Sequence, residues 1–286
     1  MEISVLASGS SGNCFYVGNE GSAILIDVGL SAKQILEKLL IVRGDARKIR
    51  GIFITHEHID HVRGVDVLAR KLSIPIFATK ETAKNCFLCS DENLIKIIKR
   101  NSIVKINGLK IEAFSKFHDA ADPVSYNVYE KKKVSVITDA GHACKNIKNH
   151  VSNCDLLCIE TNYDDEMLMN GPYPYYLKKL IGGDKGHLSN HQAGLCALEF
   201  ASPKLKRVIL SHISKTNNTP ELAYSTFSEI IKERSNLSPI VNVSLRENPT
   251  EMFKIWTYIH NAFKHATLTR NMKFSHIEKK DLFYAG

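Results

Sequence analysis

Nowhere in its 286 residues does the chain approach the roughly 18 uninterrupted apolar residues of a membrane span, which speaks against a transmembrane protein. Its opening, Met1-Glu2-Ile3-Ser4-Val5-Leu6, runs straight into Gly and Ser; without a basic region followed by a long apolar one it is not a signal peptide. Cysteine is sparse and odd in number, seven residues scattered from Cys14 to Cys196. That pattern argues against a disulfide framework and for free thiols in a reducing compartment, the cytoplasm. Cys86-Phe87-Leu88-Cys89 has the spacing of a zinc knuckle, but no second pair stands at a matching distance. No internal repeat and no low-complexity linker divides the chain. Positive charge is not lacking: a net charge of +8 permits an anionic partner such as nucleic acid without requiring one.

What is present is concentrated in one stretch. Ile52-Phe53-Ile54 reads as a buried strand, and Thr55-His56-Glu57-His58-Ile59-Asp60-His61 follows it directly. Four potential metal ligands, His56, His58, Asp60 and His61, thus fall within six positions at a strand tip. Alternate side chains of a strand face opposite ways, so these groups converge only from a strand end or a tight loop. Buried polar groups without partners are expensive, and a metal pair would neutralise and order them. Neutral imidazoles with a carboxylate suit zinc and tolerate manganese or iron. The pattern places a helix from Asp60 through Val62 to Lys71, with Asp60 at its N-terminus and His61 in its first turn.

The rest of the chain repeats the theme. Strands are expected over 2–7 and within 14–27, the last ending at Asp27, which either supports the metal loop or simply terminates the strand. Ser8-Gly9-Ser10-Ser11-Gly12-Asn13 joins two of these strands as a tight turn. Ser31 and Gln34 form a capping box for a helix over 32–41. Further strands fall near 74–78, 94–98, 102–106 and 109–117, the last leading into His118. A hairpin spans 124–130 and 133–138 and ends in Thr138-Asp139. A strand over 155–159 meets Glu160, and one over 206–211 meets His212. Helices are expected from about Lys80 and near 164–169, 173–181, 190–200 and 220–234, those from 190 and 220 capped by Ser189 and Thr219, and a last strand near 239–243. Apolar strands therefore terminate repeatedly in a single potential ligand, at His56 to His61, His118, Asp139 and His212. Ligands at one edge of a strand array meet in a shared groove although over 150 positions separate them. Residues 256–286 read as a C-terminal appendage without chemistry of its own.

His56-Glu57-His58-Ile59-Asp60-His61, followed in order by His118, Asp139 and His212, resembles the metallo-β-lactamase superfamily over residues 1–255. The resemblance implies an α/β fold, a four-layer αββα sandwich of two mixed sheets with helices outside and a dinuclear site at one edge. It implies that His56, His58 and His118 hold a first metal, that Asp60, His61 and His212 hold a second, and that Asp139 bridges them, with Asp27 as a supporting acid. An Asp at the bridging position, where the lactamases proper carry Cys, implies phosphodiesterases or thioesterases. Leu6-Ala7-Ser8-Gly9-Ser10-Ser11-Gly12-Asn13, Glu160-Thr161-Asn162-Tyr163-Asp164 and Gly186-His187-Leu188-Ser189-Asn190 look like the bacterial YycJ/WalJ subgroup. Its members are thought to be cytoplasmic DNA exonucleases acting in a 5′ direction and connected with mismatch repair. The Glu160 and His187 stretches also resemble paired motifs of 3′-tRNA-processing endonucleases, in which the His sits at the scissile phosphate and the Glu orients it.

The expectation is therefore a hydrolase that loads two divalent ions, zinc or manganese with iron as a third choice, and cleaves DNA in preference to RNA. Asp60 would orient the attacking water, and His187, held by Glu160, would donate to the phosphate or leaving oxygen. The alternative is a thioesterase of the glyoxalase-II type or another small-molecule hydrolase, since the metal ligands are nearly common to both. No membrane partner is expected, and monomer and dimer are both left open. His142 and His191 are expected at the surface or behind the ligands.

Overall fold

Strands rich in Ile, Val, Leu and Phe on both faces need cover on both sides, and the chain provides it with two stacked sheets and outer helices. The computed structural model describes residues 1–255, so the appendage expected over 256–286 lies outside the described residues. The first sheet takes β1 (Glu2–Ala7), β2 (Cys14–Gly18), β3 (Ala23–Ile26), β4 (Ile49–Phe53), β5 (Ile76–Thr79) and β6 (Ile95–Ile98). The second takes β7 (Ile103–Ile106), β8 (Leu109–Ser115), β9 (Val124–Tyr129), β10 (Lys133–Ile137), β11 (Leu156–Glu160), β12 (Arg207–Ser211) and β13 (Ile240–Val243). A two-residue strand, β14 (Phe253–Lys254), closes the first sheet by pairing with β1. The sheet orders are β14-β1-β2-β3-β4-β5-β6 and β13-β12-β11-β10-β9-β8-β7.

Both sheets are mixed. β1 to β3 pair antiparallel and β3 to β6 parallel. β7 to β10 pair antiparallel and β10 to β13 parallel. Within each parallel half the carboxyl ends of neighbouring strands lie at one edge, the place where open α/β sheets bind ligands. Those ends carry Asp27, Thr55 to His61, Asp139, Glu160 and His212. The direction of pairing thus gathers these residues.

Period-two alternation divides each strand between two cores. Ile24, Ile26 and Phe53 of the first sheet share the inter-sheet core with Val134, Val136, Leu156, Cys158 and Ile209 of the second. Their neighbours Leu25 and Ile52 turn outward to meet Ile35 and Leu39 of α1 (Ala32–Ile41). Next come α2 (Ile59–Val62), α3 (Val65–Leu72), α4 (Lys80–Asn85), α5 (Lys145–Val151), α6 (Asp165–Asn170), α7 (Tyr175–Ile181), α8 (Asn190–Phe200) and α9 (Pro220–Lys232). On the second sheet Leu157, Ile159 and Leu210 face Ala193 and Ala197 of α8 and Phe227 of α9. The layers run helix, sheet, sheet, helix, as the resemblance implied. Both capping boxes, Ser31 with Gln34 and Ser189 with Gln192, are formed, and Thr219 caps α9 with Pro220 at its first position.

The expected helix from Asp60 to Lys71 is in fact two helices, with His58 rather than Asp60 preceding the first turn. Gly64 separates them. Its N–H donates to Val28 O, and a Cβ there would lie 2.0 Å from Leu30 O, so the chain presses onto the segment leaving β3 and must turn. α5 and β14 were not expected. α5 shows only Ile147 and Val151 as apolar markers, both buried, and β14 is two residues long.

Candidate metal centre

The metal loop hangs from β4 by Thr55. Its N–H donates to Asp27 Oδ1 and its hydroxyl to Oδ2, both at 2.8 Å, and the same hydroxyl oxygen lies 2.9 Å from His56 Nδ1. That leaves His56 Nε2 facing outward, 3.1 Å from His58 Nδ1. His118, beyond the end of β8, brings its ring to 4.9 Å from His56 and 5.2 Å from His58. Its Nδ1 is held 3.0 Å from Gly186 O, while its Nε2 is buried and has no hydrogen-bond partner. An imidazole nitrogen stranded among two others is the condition that a cation relieves. Two nitrogens each about 2 Å from one tetrahedral zinc stand roughly 3.3 Å apart, close to the observed His56–His58 separation. These three residues fit a divalent ion.

A second set adjoins the first. His61 Nδ1 lies 2.7 Å from Asp27 Oδ2, and its Nε2 is 3.4 Å from Asp60 Oδ2 and 3.3 Å from Asp139 Oδ2. His212 Nδ1 is 3.1 Å from the same Asp139 oxygen. The other Asp139 oxygen lies 4.0 Å from His118 Nε2, so this carboxylate spans both sets. Donor atoms of His56, His58 and His118, of His56, His61 and Asp139, and of Asp139, Glu160, His187 and His212 form three groups, each within 4.8 Å. All seven expected ligands are thus brought together, and the set of imidazoles and carboxylates suits divalent metals.

Backbone geometry marks the same positions. Asp27, Asp139 and His212 take φ values of 59°, 52° and 55°, in the left-handed region that non-glycine residues rarely enter. Each stands one or two residues beyond a strand end, where this twist turns the side chain into the groove. Such strain persists only where the surroundings hold it, and it clusters at functional sites.

Charge in the groove is divided. Burial keeps His56 well below the ordinary imidazole value and pushes His118 down to about 3, so both are neutral donors. Burial opposes a proton on His61 too, but the Asp139 and Asp27 carboxylates outweigh it and hold His61 well above the usual value. Burial would likewise raise the Asp139 carboxyl, yet His212 and His61 keep it well below the carboxylate range.

Glu160 and His187 complete the rim. Glu160 is fully buried at the end of β11; its Oε2 accepts Ala140 N–H at 2.8 Å, and its Oε1 lies 2.6 Å from His187 Nδ1. Burial disfavours the His187 cation, but Glu160 and Asp139 more than compensate and raise it to about 9. The ring sits between His118 and His212, 5.3 Å from each centroid. His142 and His191 do not join this cluster. His142 Nδ1 lies 3.0 Å from Asp184 O with its ring against exposed Phe117, and His191 is exposed.

Four supporting residues escaped the sequence reading. Thr55 links His56, His61 and Asp27, and Thr138 Oγ1 donates to Asp139 at 2.5 Å while lying 3.0 Å from His212 Nδ1. Asn13 Nδ2 reaches Asp60 Oδ2 at 3.2 Å and His61 Nε2 at 3.1 Å. Lys116 is buried and donates to Thr138 O, and burial lowers its pKa. Thr55 and Thr138 each directly precede an expected ligand, a signal the sequence did offer.

The family profile described as "Beta-lactamase superfamily domain" matches residues 22–213. The chain is 35% identical over 238 residues to an exodeoxyribonuclease YycJ from Bacillus anthracis, covering 82% of this chain and 90% of that one. It is 37% identical over 229 residues to an exodeoxyribonuclease WalJ from Streptococcus pneumoniae, covering 78% and 85%. The crystal structure of the metallo-β-lactamase fold protein YhfI from Bacillus subtilis superposes with a TM-score of 0.64 at 16% identity, over 87% of this chain and 98% of that one. The chain belongs to the β-lactamase superfamily and, within it, to the YycJ/WalJ-like subgroup of metal-dependent hydrolases.

Proposed function

We propose that residues 1–255 form a dinuclear-metal-dependent phosphodiesterase domain, a DNA exonuclease acting 5′ to 3′ and linked to DNA repair. His56, His58 and His118 would hold one ion, Asp60, His61 and His212 the other, with Asp139 between them. Zinc and manganese suit this donor set best, and iron is compatible with it. The names of the two relatives support the substrate class. The observation that carries the reading is the buried Glu160 carboxylate fixed 2.6 Å from His187 at the rim of the groove, since ligand sets alone serve several hydrolases. Seven free cysteines, and the absence of any helix long and apolar enough to cross a membrane among the described residues, agree with a cytoplasmic setting.

Bound divalent ions supply Lewis acidity, offsetting charge at a phosphoryl group and acidifying water. The chain's residues do the rest. Asp60, tied by Asn13, orients the water that attacks phosphorus. His187 carries a proton on each nitrogen near neutrality, Nδ1–H donating to Glu160 and Nε2–H left for the substrate. As the water oxygen bonds to phosphorus and gives up a proton to the Asp60 carboxylate, the bond to the leaving nucleotide oxygen breaks and that oxygen takes the Nε2 proton. The proton on Asp60 passes to solvent, and His187 is reprotonated from solvent. The test incubates zinc- or manganese-loaded protein with end-labelled single- and double-stranded DNA, RNA and a thioester. Mononucleotide release from a 5′ end of DNA is expected. Thioester hydrolysis without nucleic-acid cleavage would overturn the reading in favour of a glyoxalase-II-like activity.

A further inference from the structure

Beside the groove lies a cavity of about 250 Å³, lined in part by Ser8, Ser214, Lys215, Thr219, Ser244 and Arg246. Ser8 connects it to the metal centre, because its Oγ accepts the His212 N–H at 2.6 Å. The polar groups here are unusual in what they leave unused. Ser8, Ser214 and Thr219 each accept backbone N–H groups, from His212, from Thr216 and Asn217, and from Leu222, and among the described residues none of the three hydroxyls donates onward. Arg246 donates to Ser10 Oγ, Ser11 Oγ and Ile213 O, which leaves two of its five N–H groups free among the described residues. Lys215 is exposed and forms neither a hydrogen bond nor an ion pair with a described residue. No described carboxylate lines the cavity. Spare donors and two cations without an acidic partner call for an anionic ligand that only accepts, and an ionised phosphate is such a ligand.

We infer that this cavity holds the terminal phosphate monoester of a nucleic-acid strand while the neighbouring diester lies in the metal groove. Arg246 and Lys215 match its two negative charges, and the Ser8, Ser214 and Thr219 hydroxyls fill out its oxygens. The strand end would then be fixed relative to the ions, making the cavity a determinant of where the first cut falls. The inference rests on the phosphodiesterase reading above.

Fluorescence anisotropy on metal-free protein separates the two. Two labelled single-stranded oligonucleotides of one sequence are compared, one ending in a 5′-phosphate and one in a 5′-hydroxyl. Wild type is expected to bind the phosphorylated strand more tightly, on the order of tenfold, as hydrogen bonds to a charged group allow. Lys215→Ala and Arg246→Gln should each shrink that ratio toward one. Lys215→Ala is the cleaner variant, because Arg246 also braces the Ser10–Ser11 turn, and an unchanged thermal midpoint checks its fold. A ratio near one in wild type, a ratio that survives both substitutions, or an equal loss for both strands would overturn the assignment, the last pointing to an internal phosphate. Failure of the nuclease reading looks different, with no cleavage of any nucleic acid by metal-loaded wild type.

Discussion

Asp27 is expected to control the second ion without touching it. The carboxylate is fully buried and receives three donors on two oxygens, Thr55 N–H on Oδ1 and both Thr55 Oγ–H and His61 Nδ1–H on Oδ2, at 2.8, 2.8 and 2.7 Å. Asp27→Asn keeps the shape, and Asn tolerates the left-handed φ of 59° at this position, so the backbone is not the perturbed element. An amide offers only one accepting oxygen. Whichever way it turns, at least one buried donor faces an NH₂ group, a loss of roughly 1.5–3 kcal/mol for a bond to a charged acceptor. His61 then no longer has its Nδ1–H fixed and its Nε2 free for the metal. Removing such an outer partner typically weakens metal binding about 10–100-fold. An opposing effect exists: without the Asp27 charge, His61 holds its competing proton less tightly. That effect grows as pH falls, so the loss of affinity should be largest at alkaline pH and shrink on acidification. Competition against a chromophoric chelator, with stripped protein titrated at several pH values, reads both the size and the trend. Two equivalents bound with wild-type affinity at alkaline pH would refute the claim that Asp27 orients His61.

Three further outcomes are expected. Without metal, Asp139 and Asp27 keep a proton on His61 against the effect of burial, and a divalent ion must displace it. Affinity should therefore fall with falling pH, with proton release visible by calorimetry in buffers of different ionisation enthalpy; pH-independent affinity would contradict this. The same raised pKa stabilises the metal-free protein at low pH, and that contribution should fade as pH rises through the folded-state value. His187→Ala should reduce kcat by about 10²–10⁴ with metal content unchanged by elemental analysis, and Glu160→Gln should reproduce part of the loss. A matching loss of metal would make His187 a ligand instead. Gly29→Ala would place a Cβ 1.7 Å from Asp60 O and 2.5 Å from Asn13 N, so overpacking of roughly 1–3 kcal/mol should lower the unfolding temperature by about 2–12 °C and disturb Asp60. An unaltered midpoint with full metal loading would show that this contact yields freely.

The sequence reading succeeded where the physics is local or periodic. β10, β11 and β12 announced themselves because both faces are buried, which makes the code a run of Val, Ile and Leu. α1 and α8 were bounded by capping boxes, which depend on residues three apart. What stayed hidden depends on tertiary contact. Gly64 breaks the helix after the metal loop because of Leu30, over thirty positions earlier, and no local pattern encodes that approach. Asn13 looked like a turn residue, and the partners of its Nδ2, Asp60 and His61, are 47 and 48 positions away. Lys116 fell inside the strand expected over 109–117 and carried no mark of its own, yet β8 ends at Ser115 and the Lys116 side chain is buried with Thr138 O as its acceptor.

The convergence of the expected ligands was legible for a different reason, and the structure supplies it. A ligand at a strand's carboxyl end is a local feature in sequence, but convergence requires that the strands share direction and that each chain turn aim inward. Pairing of β3 with β4, and of β10 with β11 and β12, is parallel, which satisfies the first condition. The left-handed residues Asp27, Asp139 and His212 satisfy the second, since an extended or helical backbone there would carry the side chain along another course. Asp is among the residues enriched at such φ values, as is His, so the two residue types that donate to metals are also those that can occupy these turns. The recurrence of a single Asp or His just beyond an apolar strand is therefore the sequence trace of a backbone conformation as well as of a donor atom. Replacing Asp139 or His212 with a β-branched residue would remove both at once, whereas Asn preserves the turn and isolates the loss of the carboxylate at 139 or of the imidazole at 212.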